Sequence, residues 1–139
     1  IGHAPEGCRR FFQLLFADGA RVRTVRILAG RLGVVPTTLI SRFVRANLPP
    51  PKRYLTLARL VCAARLLENP GISVAATANE LDYSSPQAFG RHVKRILGMG
   101  TRTFRERYDG EGMLQYFRDE LVLPHLHTLR CFDPLGLYF

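Results

Sequence analysis

Two stretches of the chain, about fifty residues apart, carry the same local pattern, and this repeat limits the fold more than any other feature. Leu28-Ala29-Gly30-Arg31-Leu32 aligns with Thr77-Ala78-Asn79-Glu80-Leu81 at an offset of 49 residues. The segments that follow align at an offset of 50, Pro36 with Pro86, Leu39 with Phe89 and Arg45 with Arg95, so the second turn is one residue longer. In each copy a small alanine lets a second helix cross the first closely, and a turn of the glycine type sets the crossing angle. Those are the requirements of a helix-turn-helix unit.

The rest of the chain is punctuated for helices, and no stretch shows sustained alternation of apolar and polar residues. The expected fold is all-α: two helix-turn-helix subdomains joined by a long linker helix, with an extra C-terminal segment. A first helix is expected over about residues 7–17 with Phe11, Phe12, Leu14 and Leu15 inward and Asp18-Gly19 as its stop. A second covers about 24–32 and a third about 36–46, with Leu39 and Phe43 inward and Asn47 as a left-handed cap. Pro51 opens the linker helix to about Glu68, where Leu57, Leu60, Val61, Ala64 and Leu67 form one apolar stripe. At 1.5 Å per residue this is a rod of roughly 27 Å, long enough to hold two small units apart. Ser73 caps a fifth helix to about Leu81, Ser85 and Pro86 open a sixth to about Leu97, and a seventh runs over about 101–108. The expected division is 1–21, a helix packing on the first unit; 22–50, the first unit; 51–70, the linker; 71–108, the second unit; and 109–139, a helix followed by an apolar tail.

The formal charge of +9 is concentrated in the middle of the chain. Residues 22–108 carry +11 against +1 before them and −3 after, and residues 22–53 hold seven basic side chains and no acid. Such a field attracts a polyanion, with DNA or RNA first among them. No apolar run approaches the roughly 18 to 20 residues of a membrane-spanning helix, and the N-terminus has no basic-then-apolar leader pattern, so no membrane partner and a cytoplasmic location are expected. Three scattered cysteines do not make a secreted disulfide framework. The chain starts at Ile1, which predicts a missing upstream sensor or receiver domain.

Over about residues 22–108 the chain resembles the AraC/XylS family of bacterial transcription regulators. In the first half the resemblance rests on Leu28-Ala29, Leu32-Gly33, Leu39, Phe43, Pro51, Tyr54-Leu55, Arg59-Leu60, Ala63 and Leu66-Leu67. In the second it rests on Ile72, Val74, Ala78, Tyr83, Ser85, Phe89, Arg91, Lys94, Gly98, Phe104 and Arg105. It implies sequence-specific binding of double-stranded DNA, with the third and sixth helices lying in successive major grooves, and RNA polymerase as a candidate partner. Gln87 and Arg91 are the expected base readers of the sixth helix, because an amide pairs with adenine and a guanidinium with guanine. Thr37, Thr38 and Ser41 are their counterparts on the third. Arg42, Arg45, Ser85, Lys94 and Arg95 are the expected phosphate contacts, which fix register without reading sequence. Lys52, Arg53 and Arg102 stand behind them, whereas Arg59 and Arg105 are framework positions expected to pair with Glu68, Glu106 or backbone carbonyls.

Several residues depart from the family pattern. Asp82 stands where glycine is usual, and Asp tolerates the left-handed conformation better than most residues. Thr77 replaces a large aliphatic and Val93 a phenylalanine, which predicts looser packing in the second unit. Ser41 stands where an arginine is common, with Arg42 beside it, and one residue turns a side chain about 100° around a helix. The second unit is therefore expected to read more sequence and the first to hold more phosphate. No catalytic constellation appears, so no enzyme and no cofactor are expected. His125, His127 and Cys131 include ligand types without a recognisable zinc spacing, and no metal is expected. Met113, Leu114, Phe117, Leu121 and Val122 form a stripe from about Glu111 to Leu123, stopped by Pro124. That tail either packs on the domain's own core or mates with another chain, a second copy included, or with the absent domain. The alternative function is accordingly a protein-assembly module that oligomerises through its tail and binds DNA only non-specifically.

Overall fold

Pro36, Pro51 and Pro86 each open a helix, because a ring-fixed φ suits the first helical position and the missing N–H loses no partner there. The computed structural model describes residues 4–17 and 22–136. Among them the helices are α1 Glu6–Ala17, α2 Val25–Leu32, α3 Pro36–Arg45, α4 Pro51–Leu66, α5 Val74–Glu80, α6 Pro86–Leu97, α7 Thr101–Arg107 and α8 Gly110–Phe117. A π turn over Arg118–Val122, a 3-10 turn over Leu123–His125 and a short α9, Leu126–Leu129, follow. The fold is all-α, with no strand among the described residues. The helix stop expected at Asp18-Gly19 and the ending Leu137-Tyr138-Phe139 lie outside the described residues.

The linker helix is more deeply enclosed than one stripe predicts. Besides Leu57, Leu60, Val61 and Ala64, α4 buries Tyr54, Leu55, Ala58, Arg59 and Ala63. A helix buried on most of its surface needs neighbours on several sides, and here α1, α2, α3, α5 and α8 supply them. So α4 is the centre of one continuous core that takes in both units, not a spacer between two. Around Tyr54, Phe11 and Phe43 pack edge-on at ring separations of 5.7 and 5.8 Å, and the Tyr54 hydroxyl donates to the Leu121 carbonyl at 3.0 Å. Burial pushes the Tyr54 phenol well above its ordinary pKa, which keeps it a donor.

The C-terminal extension lies along α4. Gly110 makes the approach possible: a Cβ there would collide with the Arg65 side chain, and its N–H donates to Glu68 Oε2 at 2.8 Å. The expected helix to Leu123 stops as an α-helix at Phe117. A straight α-helix would carry Val122 to the side opposite Met113, whereas the wider i→i+5 turn over Arg118–Val122 brings both Leu121 and Val122 into the core. Beyond α9 the chain reaches α3, where Phe132 packs on Phe43 with ring centroids 4.8 Å apart. The described tail is therefore folded on its own chain, with Phe132 and Leu135 buried.

Candidate nucleic-acid interface

Each unit begins with a capped helix and a turn built on the same bonds. Thr24 Oγ1 accepts from the Ile27 N–H at 3.1 Å, and Ser73 Oγ from the Ala76 N–H at 3.0 Å, which satisfies an otherwise orphan donor at the start of α2 and α5. In the first turn Gly33 has φ 75°, and the N–H groups of Gly33 and Val34 donate to the carbonyls of Gly30 and Ala29. In the second, Asp82 has φ 61°, and Asp82 and Tyr83 donate to Asn79 and Ala78. Both are helix ends closed through one left-handed residue, and Asn47 closes α3 in the same way with φ 57°. The first turn bends the chain through 94° between α2 and α3, within the range of a helix-turn-helix. Ala29 and Ala78 are both buried at the crossing.

Polar residues inside the second unit are hydrogen-bonded, although Arg59 Nε and His92 Nε2 are buried without a partner among the described residues. Thr77, fully buried where an aliphatic was expected, donates its hydroxyl to the Ser73 carbonyl at 3.1 Å. Arg59, 7% exposed, donates to the Leu81 carbonyl, and its guanidinium carbon lies 4.3 Å from the centre of the Tyr83 ring. Arg105 donates to the Asn69 carbonyl at 2.9 Å, so both framework arginines bond backbone rather than Glu68 or Glu106. Tyr83 Oη in turn lies 2.7 Å from His92 Nδ1. Burial, with Arg95, Arg59 and Lys52 nearby, lowers the His92 pKa from 6.5 to about 4, so the ring is neutral at pH 7. The ion pair of Arg23 with Asp82 joins the two units directly.

The second helix of each unit carries the candidate DNA contacts. On α6, Gln87, Arg91, Lys94 and Arg95 are exposed, and Ser85 caps the helix by accepting from the Ala88 N–H at 3.0 Å. On α3, Thr37, Ser41 and Arg45 are exposed and Thr38 is half-buried. Arg45, Arg91 and Arg95 have no carboxylate partner among the described residues, and Lys94 bonds only the Gly98 carbonyl at the end of its own helix. Arg42 is placed differently, half-buried with Nη1 donating to the Pro134 carbonyl at 2.7 Å. Of the second rank, Arg53 pairs with Glu120 and Arg102 with Glu106, while Lys52 lines a cleft of about 400 Å³ with Thr24, Arg59, His92 and Arg95. The cysteines are unpaired, and burial raises the thiol pKa of Cys8 to about 11 and that of Cys62 as well. Among the described residues His125, His127 and Cys131 do not gather into a metal-binding cluster. No single helix among them is long and apolar enough to cross a membrane.

Sequence reasoning passed over two residues on α3. Ile40 and Val44 are 41% and 64% exposed, on the same helix edge as Thr37 and Ser41.

Two helix-turn-helix units whose second helices present unpaired cations define a DNA-binding domain. A family profile described as "Helix-turn-helix domain" matches residues 28–107. Over 92 residues the chain is 36% identical to a protein of Streptomyces lividans and 35% identical to one of Streptomyces antibioticus, each described as an AraC-like transcription regulator. The chain belongs to the AraC-type helix-turn-helix family of transcription regulators, DNA-binding proteins and not enzymes. The alignments cover 66% of this chain and 30% of each relative. No solved structure matches it at a significant level.

Proposed function

We propose that this chain is the sequence-specific DNA-binding part of a bacterial transcription regulator acting in the cytoplasm, with α3 and α6 in successive major grooves on one face of the duplex. Residues 22–50 and 71–108 are the two DNA-facing units. The observation that carries this reading is the outer face of α6, where Gln87, Arg91, Lys94 and Arg95 stand exposed and the three cations have no carboxylate partner among the described residues. Gln87 and Arg91 read base edges, joined by Thr37, Thr38 and Ser41 on α3. Arg45, Ser85, Lys94 and Arg95 hold phosphates. Arg42 is spent on the tail, so its work is to hold the tail to α3 and not to grip DNA. An upstream sensor or receiver domain supplies the signal, and RNA polymerase is the partner through which transcription responds. The assembly reading needs an apolar tail open to a second copy, and Phe132 and Leu135 are already buried within the chain.

Genomic fragments selected by binding to the purified protein test the proposal. The expected product is a motif with two half-sites about one helical turn, roughly 34–36 Å, apart. Preference for it over random duplex should be about 10³-fold or more at physiological salt. Recovery of no enriched motif would overturn sequence-specific binding.

A further inference from the structure

The large hydrophobic side chains exposed among the described residues are Val35, Ile40, Val44 and Leu123. Two of the four share one face of α3, the helix placed in a major groove by the proposed function, on which this inference rests. Ile40 and Val44 are spaced i and i+4, about 6 Å apart along the helix, and alternate with Thr37 and Ser41 on the side away from buried Leu39 and Phe43. None of the exposed large hydrophobics falls on α6, whose outer face is amide and cation. The apolar edge is thus a property of the first unit, not of the repeat.

We propose that Ile40 and Val44 form a methyl-reading site that takes the C5-methyl groups of pyrimidines in the major groove, thymine in the first place. The C5-methyl is the apolar feature that a base pair displays there, and apolar side chains recognise it by contact. The remaining side chains on this face agree with a duplex as the occupant. Thr37 and Ser41 offer hydroxyls able to donate or accept, Arg45 follows one position after Val44, and residues 22–53 contain no acid that would repel a phosphate backbone. The described part of the tail does not cover the site, since it meets α3 at Arg42 and Phe43. With Ser41 where a longer donor would otherwise reach, α3 has little bidentate hydrogen bonding to offer bases, and discrimination by the first unit falls to hydroxyls and methyl contacts.

The test uses duplexes carrying the motif recovered by selection, resynthesised with deoxyuridine for thymidine in the first unit's half-site, and the whole chain as purified. Removing one contacted methyl should weaken binding roughly four-fold, the worth of one buried carbon. Replacing the sensitive T·A pair by C·G should weaken binding, and 5-methylcytosine at that place should recover part of the loss if the methyl itself is read. The Ile40→Ala, Val44→Ala double variant, at two exposed positions and checked for unchanged thermal unfolding, should bind the thymine duplex more weakly and no longer distinguish thymine from uracil. Equal affinity of the wild-type chain for thymine and uracil duplexes overturns the methyl site while leaving sequence-specific binding intact. A double variant that keeps full affinity, or keeps the uracil sensitivity, also overturns it and assigns the apolar edge to another occupant such as the upstream domain. A selection that enriches no motif overturns both readings together.

Discussion

The guanidinium of Arg42 in α3 donates from Nη1 to the carbonyl oxygen of Pro134 at 2.7 Å, so residues far along the chain hold the second helix of the first unit. Phe132 closes the same contact on Phe43. The described part of the tail thereby braces α3 from behind, on the side opposite Thr37, Ser41 and Val44, and leaves the outer face open.

Arg42→Ala and Arg45→Ala should separate bracing from DNA contact. Loss of the charged hydrogen bond at Arg42 should lower stability by about 1–3 kcal/mol in urea unfolding and leave the salt dependence of DNA binding unchanged. Arg45→Ala should leave stability within roughly 0.5 kcal/mol and flatten the salt slope by about one unit. A flattened slope for Arg42→Ala would return that residue to the phosphate contacts.

On α6 the contrast lies between base and backbone. Arg91→Ala should relax preference at one base pair at a cost of roughly 1–3 kcal/mol, and Lys94→Ala should weaken all sequences alike. Competition binding against single-position operator variants measures both. Unchanged preference in Arg91→Ala would remove that side chain from base reading.

Asp82 holds φ 61° at the second turn and pairs with Arg23 at the surface. The left-handed conformation costs an ordinary L-residue about 1–2 kcal/mol, whereas an exposed ion pair contributes about 0–1 kcal/mol. Conformation should therefore dominate. Asp82→Gly is expected to unfold within roughly 1 kcal/mol of the wild type, and Asp82→Ala to be the less stable of the two variants by about 1 kcal/mol. Equal stability of the two would show that the turn relaxes.

His92 makes stability depend on pH. Its folded pKa of about 4 lies below the ordinary 6.5 because the ring is buried, with Arg95, Arg59 and Lys52 adding repulsion. Between those values the unfolded chain binds a proton that the folded one refuses, so stability falls as pH drops from about 6.5 towards 4. The loss between pH 7 and pH 5 should be on the order of 2 kcal/mol larger in the wild type than in His92→Gln, measured by urea unfolding. The comparison cancels the carboxylates that titrate in both proteins. A His92 ring titrating near 6.5 by NMR would show that the protonated ring is accommodated.

The helices and turns were legible because their causes are local. Pro36, Pro51 and Pro86 start helices wherever they stand, Gly33, Asn47 and Asp82 close them through one left-handed residue, and Ala29 and Ala78 mark the crossings. The exposed face of α6 could be read for the same reason, since a helix with Phe89 and Val93 inward must turn Gln87, Arg91 and Lys94 outward. What periodicity could not supply was the partner on the other side of each face. Whether α4 is a spacer or a hub depends on α1 and α8 arriving from both ends of the chain, and its single apolar stripe gave no sign of them. The diversion of Arg42 to Pro134, 92 residues later, and the pairing of Arg23 with Asp82, 59 residues apart, are likewise choices among many cations and acceptors of equal local standing. Ile40 and Val44 show a different limit: with Leu39 and Phe43 inward the helix turns them outward, but an apolar side chain is no DNA contact by residue type, and only the burial of the described residues around α3 showed that nothing among them covers the pair. Local propensity determined which segments are helical and how they turn, and burial, which is shared among residues distant in sequence, decided which of their faces remain for DNA.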